Sequence, residues 1–163
     1  MSFKLASEED IYDILHGIKT NAYGIDDINS QMLKYSSPFI DKYITHIVNC
    51  CIEANYFPDP WKISIGKPLS KVANPVSFND LRIISILPVL SKVMEKLLSG
   101  QLYEHCISHK ILPDYQCGFR KGFSTAVALT NVTDDIFLAT DKKQCSVLVL
   151  LDYSKAFVLL IMN

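Results

Sequence analysis

One aspartate in this chain is placed as a catalytic carboxylate could be. Asp152 follows the aliphatic run SVLVLL, residues 146–151. That run is too short for a helix and suits a fully buried strand. An aspartate at the end of such a strand sits on a rigid frame, where it can offer oxygens to a hard divalent cation. An ATPase would present a carboxylate in the same way, but it also needs a GxxxxGK[ST] loop. GFRKGFST, residues 118–125, has neither the spacing nor the lysine. The plain alternative is a strand that ends at a polar turn.

The chain is rich in lysine and has only two arginines, Arg82 in LRIISIL and Arg120 in QCGFRKG. Arginine offers a planar fork that matches phosphate oxygens, so both are phosphate candidates, against the ordinary reading of a solvated charge. Lys71 lies near Arg82 in sequence, and Lys121 follows Arg120. His105 and His109 have the i, i+4 spacing of a zinc pair, but no third ligand is evident nearby, and histidines at the wet end of an amphipathic helix are the usual case. Asp134 and Asp135 fall in a helical stretch and read as a solvated face. Cys117 reads as filler in its loop.

Elements must position these residues, and composition bounds what they are. The 163 residues suffice for one domain with a real core, and 49% apolar with 20% charged residues indicates a packed body rather than disorder. A net charge of −1 argues against a basic coat, though not against a local basic channel. Five cysteines without a CxxC pair, and no signal peptide at the start, point to reduced thiols and an intracellular protein, nuclear or cytoplasmic and not secreted. The apolar stretch from Phe157 to Met162 is too short to span a bilayer.

Along the chain, Ser7 and Asp10 form a capping-box pattern before a helix with Ile11, Ile14, Leu15 and Ile18 on one face. KTNAYGIDDIN breaks it. A second helix holds Met32 and Leu33 and stops before Pro38. A third runs roughly from Pro38 to Glu53, with Phe39, Tyr43, Ile44, Ile47, Val48 and Cys51 inward. KISI, residues 62–65, alternates as a strand, SKVANPVSFND is a loop, and LRIISIL is a second short strand. A long helix opens at Pro88 and runs to Lys110, with Val89, Val93, Leu97 and Leu98 on a stripe. Ser124 caps a last helix reaching about Thr140.

In order, five segments resemble the reverse transcriptase domain of non-LTR retrotransposons of the jockey-like kind. GIDDINSQMLK resembles its G-x-D-[GD]-I-x-x-x-[LM]-L-K, and FPDPWK its F-P-x-x-W-K. PLSKVANPVSFNDLRIISILPVLSKVMEKLL, residues 68–98, resembles P-[IL]-P-K … Y-R-P-I-S-[IL]-L … K-[VI]-x-E-K. QCGFRKGFSTAVAL, residues 116–129, resembles Q-x-G-F-R-x-x-x-S-T-x-x-A-L. VLLDYSKAF, residues 149–157, resembles [FL]-L-D-[LFY]-[ST]-K-A-F-D.

The resemblance implies an α/β fold: a partial right-hand polymerase, fingers plus the start of the palm, helix-rich, with an incomplete palm sheet. It divides the chain into residues 1–157, a partial reverse transcriptase domain, and 158–163, an apolar tail outside the match. It implies that Lys71 and Arg82 touch the phosphates of an incoming deoxynucleoside triphosphate, and that Gln116, Gly118, Phe119 and Arg120 line the template side. Asp152 would be the first catalytic carboxylate, binding Mg2+ together with the backbone carbonyl of Tyr153. Phe157 would gate the sugar. The partners implied are an RNA template and a DNA primer, with no membrane.

The departures matter as much. Ile83 stands where the family has proline, which could loosen the segment that aims Arg82, and Leu81 where it has tyrosine. Val158 replaces the aspartate after KAF. The sequence contains no Y-x-D-D; YGIDD, residues 23–27, has one residue too many and belongs to a turn. One carboxylate and one carbonyl cannot hold two metal ions in line with a nucleotide. The expectation is therefore an RNA-directed DNA polymerase fragment without activity by itself, with a non-catalytic nucleic-acid-binding module (Lys71, Arg82, Arg120, Lys121) as the alternative. The aliphatic strand, lacking neighbours, would leave apolar surface exposed or find makeshift cover.

Overall fold

The computed structural model describes residues 2–152. They form six helices and two strands, α1 Glu8–His16, α2 Ser30–Ser36, α3 Asp41–Glu53, α4 Asp59–Lys62, β1 Ile65–Ser70, β2 Leu81–Ile86, α5 Val89–Ser108 and α6 Thr125–Asp141, with a 3-10 turn at Phe78–Asp80. The chain divides into two compact units, Met1–Ile111 and Leu112–Asn163. The described residues are thus a mixed, helix-rich α/β arrangement with a small two-stranded sheet.

The first unit is built on helix stripes. Ser7 caps α1 through the expected box: its hydroxyl accepts the Asp10 N–H, and the Asp10 carboxylate accepts the Ser7 N–H. Ile11 and Leu15 from α1, Ile44 and Val48 from α3, and Val89, Val93 and Leu97 from α5 close one core with Ala6 and Ile18. Full burial of each large aliphatic contributes about 1.5–3 kcal/mol. Two side-chain amides then tie the N-terminal segment to the helices. Asn49 of α3 accepts the Ala6 N–H at 2.7 Å and donates to its carbonyl at 3.0 Å. Gln101 of α5 does the same for Lys4, at 2.7 and 3.0 Å. Each amide thereby imitates a neighbouring strand, accepting and donating one backbone bond.

Two sequence expectations need correction in this unit. On α3, Ile44, Val48 and Cys51 are buried, but Tyr43 and Ile47 are exposed, as is Phe39 just before the helix. Consecutive helix residues point about 100° apart, and the buried stripe is the narrower one through Asp41, Ile44, Thr45, Val48 and Cys51. The strand expected at 62–65 lies further on, at Ile65–Ser70, because Pro58 and Asp59 open the short helix α4, which takes up Trp61 and Lys62.

YGIDD is a turn, as expected. The Asp27 N–H donates to the Gly24 carbonyl at 3.2 Å, and Asn29 caps α2. Gly24 is there for closeness: a Cβ would stand 2.8 Å from Pro88 Cα. This turn therefore seats the junction at which β2 becomes α5.

β1 and β2 pair antiparallel, Ile65 with Ile86 through Ser70 with Leu81. Pro68 removes one ladder donor, which an outer strand tolerates. Ile83, opposite Pro68, sits within the regular ladder, its methyl 3.3 Å from where a Gly66 Cβ would be.

In the second unit, Ser124 accepts the Val127 N–H and caps α6, as its position predicts. Asp134 and Asp135 are solvent-facing. The largest correction concerns SVLVLL. Residues 145–152 form no strand and are exposed, Leu151 to 86%. A strand needs a neighbour to take its backbone groups and a face to bury. Among the described residues nothing pairs with this run, so the buried strand is not formed, while the exposed apolar surface is as expected.

Candidate functional site

The hairpin carries the densest cluster of candidate residues. Alternation along a strand puts every second side chain on one face. Arg82 pairs with Leu69, and Lys67 with Ile84. The pairing runs one residue past the strands, since the Lys71 N–H donates to the Asp80 carbonyl at 2.7 Å. Lys67, Leu69 and Lys71 therefore share a face with Arg82 and Ile84, and Arg82 has a lysine at each diagonal. Diagonal neighbours on a sheet are roughly 7–8 Å apart.

Lys67 is the residue that sequence reasoning missed. Its signal was present: Lys67 and Lys71 are four apart, hence on one face of any strand that contains both. Placing the strand at 62–65 hid it.

The three cations are not equivalent. The Lys71 ammonium donates to the Asn79 carbonyl at 2.9 Å, so it helps close the hairpin's tip. The side chains of Arg82 and Lys67 are exposed and make no hydrogen bond or ion pair with any described residue. The one nearby carboxylate is occupied. Asp80 accepts the N–H of Ser77 at 2.9 Å and of Val76 at 3.0 Å. These two bonds, with a smaller contribution from Lys71, hold its pKa below the ordinary value.

In the second unit, Gln116, Gly118, Phe119 and Arg120 lie in one turn-rich loop. Gln116 Nε2 donates to the Gly118 carbonyl at 3.4 Å. Phe119 has φ 57°, a left-handed backbone that is uncommon for a bulky residue, and its ring is 96% exposed. Arg120 turns back on the loop: it donates to the Pro113 carbonyl at 2.9 Å and lies 4.5 Å from the centre of the Phe123 ring. That combination fixes the guanidinium by a hydrogen bond and a cation–π contact.

Asp152 is exposed and is the last described residue. Tyr153, Phe157 and the segment 158–163 lie outside the described residues. Among the described residues no three His, Cys, Asp or Glu side chains gather as metal ligands. These residues do not by themselves fit a magnesium site. The His105 and His109 rings lie tilted to one another with centres 4.0 Å apart. Desolvation and the neighbouring imidazole of His109 push the His105 pKa down. No helix of the described residues is long and apolar enough to cross a membrane.

Comparison with known proteins places the chain in a family. Residues 69–160 match the family described as reverse transcriptase (RNA-dependent DNA polymerase). The probable RNA-directed DNA polymerase from transposon BS of Drosophila melanogaster is 32% identical over 155 residues, 90% of this chain and 17% of that protein. The probable RNA-directed DNA polymerase from transposon X-element is 35% identical over 119 residues, and the RNA-directed DNA polymerase from mobile element jockey 30% over 117, both of Drosophila melanogaster. Each of these two alignments covers 71% of this chain and 13% of the relative. The chain belongs to the reverse transcriptase family, in the branch carried by non-LTR retrotransposons. It spans about a sixth or less of the length of these relatives.

Proposed function

We propose that this chain supplies the fingers and first palm segment of a right-hand RNA-directed DNA polymerase that acts on an RNA template, a DNA primer and deoxynucleoside triphosphates. The observation that carries this reading is the register of the hairpin, with Arg82 at the centre and Lys67 and Lys71 at its diagonals. An exposed cation cluster on a two-stranded frame suits phosphate oxygens, those of a nucleotide or of a nucleic-acid strand. Gln116, Gly118, Phe119 and Arg120 are proposed for the template side, Asp152 and the Tyr153 carbonyl for the magnesium expected of the family, and Phe157 for the sugar gate.

These 163 residues alone carry one carboxylate of that metal site, so binding without chemistry is the activity expected of them. Primer extension with the purified chain, in magnesium or manganese, tests this. No incorporation is expected. Incorporation that disappears with Asp152→Ala would overturn the reading.

A second reading, a nucleic-acid-binding module that performs no chemistry in any context, rests on Lys71, Arg82, Arg120 and Lys121. In that reading Arg120 holds phosphate, and the salt slope of RNA binding on losing Arg120 tests it.

A further inference from the structure

The tip of the hairpin, residues 71–80, is an ordered turn that presents apolar side chains to water. Ser77 accepts the Asn79 N–H at 3.0 Å. The Asp80 carboxylate takes the N–H groups of Val76 and Ser77. Lys71 closes the base twice, through its N–H to Asp80 and its ammonium to Asn79. On this frame Phe78 is 93% exposed and Val76 95%. Pro75, Val76, Ser77, Phe78 and Leu81 border a shallow open depression of about 220 Å3.

A ring this exposed contributes almost nothing to the chain's own core, since burial is what makes an aromatic stabilising. The turn's hydrogen bonds nonetheless fix the backbone that carries it. What lies beside it identifies the kind of partner. Residues 65–86 hold three cations, Lys67, Lys71 and Arg82, and one carboxylate, Asp80, a net charge of +2 in a chain of net −1. A polyanion with flat apolar faces meets both halves of this surface. Nucleic acid has both, and only in single strands are the base faces free to stack on a side chain.

We infer that Phe78 is a stacking platform for a base of single-stranded nucleic acid, with the Lys67–Arg82 face of the same hairpin holding the adjoining phosphates. This rests on the reading of the hairpin as nucleic-acid-facing, and adds to it an aromatic contact at the tip.

The test uses the full 163-residue chain and fluorescence anisotropy with two labelled probes: a single-stranded oligoadenylate and an abasic sugar-phosphate strand of equal length. Phe78→Ala is expected to weaken oligoadenylate binding about tenfold, the loss of one stacked base, and to leave abasic binding and the salt slope unchanged. Phe78→Trp should restore the affinity. Equal oligoadenylate binding by Phe78→Ala and the parent would overturn the stacking inference, while Arg82→Ala still lowering the salt slope would leave the reading beneath it standing. No binding of either probe by the parent at low salt would sink both. A parent that self-associates, with Phe78→Ala monomeric on size-exclusion chromatography, would assign the tip to a contact between copies and overturn the inference as well.

Discussion

Lys67 and Arg82 lie one diagonal step apart on the same face of the β1–β2 hairpin, because Lys67 pairs with Ile84 and Arg82 with Leu69. If both touch phosphate, each releases counterions on binding. Single substitutions Lys67→Ala and Arg82→Ala should each reduce the slope of log affinity against log salt by about 0.7 on single-stranded RNA, and the double variant by about twice that. The loss should be similar for RNA of different sequence, since phosphates carry no sequence information. An unchanged slope in the double variant would remove the hairpin from the interface.

Arg120 separates the two functional readings. Its guanidinium donates to the Pro113 carbonyl and covers the Phe123 ring. Arg120→Ala should therefore speed amide hydrogen exchange in residues 113–123 while leaving the salt slope of RNA binding alone. A slope that falls by about 0.7 with exchange unaltered would instead make Arg120 a phosphate contact and favour the module that performs no chemistry.

Gly24 sets how the hairpin leaves the helices. A methyl at this position would stand 2.8 Å from Pro88 Cα, a backbone atom that cannot swing aside. Gly24→Ala should destabilise the first unit by about 1–3 kcal/mol, the usual cost of overpacking, read as a lower urea midpoint. An unchanged midpoint would mean that the β2–α5 junction yields freely.

The tip of the hairpin should respond to acid. The N–H groups of Ser77 and Val76 hold the Asp80 pKa below its ordinary value in the folded turn. A carboxylate whose folded pKa is depressed lends stability above its unfolded pKa, and this stability is lost as pH falls through the lower folded value. The Phe78 ring resonances should thus stay constant at neutral pH and shift toward random-coil positions only below the ordinary carboxylate range. Asp80→Asn should remove that transition. A shift centred at or above the ordinary value would contradict the hydrogen-bonded turn.

What was legible in the sequence was what local chemistry decides. Ser7 with Asp10, Ser124 before an apolar periodicity, and Pro88 at the opening of a long helix each satisfy backbone groups within a few residues, so the pattern suffices. The misjudged cases depend on distant partners. Nothing local says that Tyr43 lies outside the α3 stripe while Ile44 lies inside it, since the answer is set by where α1 and α5 pack. KISI alternates like a strand, yet the Pro58–Asp59 opening claims its first residue for a helix. SVLVLL has the composition of a buried strand, but a strand is made by its neighbours, and among the described residues it has none. Of the candidate site, Lys71, Arg82 and Asp152 were singled out from residue type and resemblance. Lys67 was missed, because it belongs to the set only once the register is known.

The account's central claim is that these residues grip nucleic acid and nucleotide through the hairpin without completing the chemistry. Its most direct test measures template–primer binding and primer extension side by side on the purified chain, its Lys67→Ala/Arg82→Ala variant and its Asp152→Ala variant. The account predicts salt-dependent binding by the parent, loss of most of that binding in the hairpin variant, unaltered binding in the Asp152 variant, and no incorporation by any of the three. Incorporation by the parent that vanishes with Asp152→Ala, or binding indifferent to Lys67 and Arg82, would contradict it.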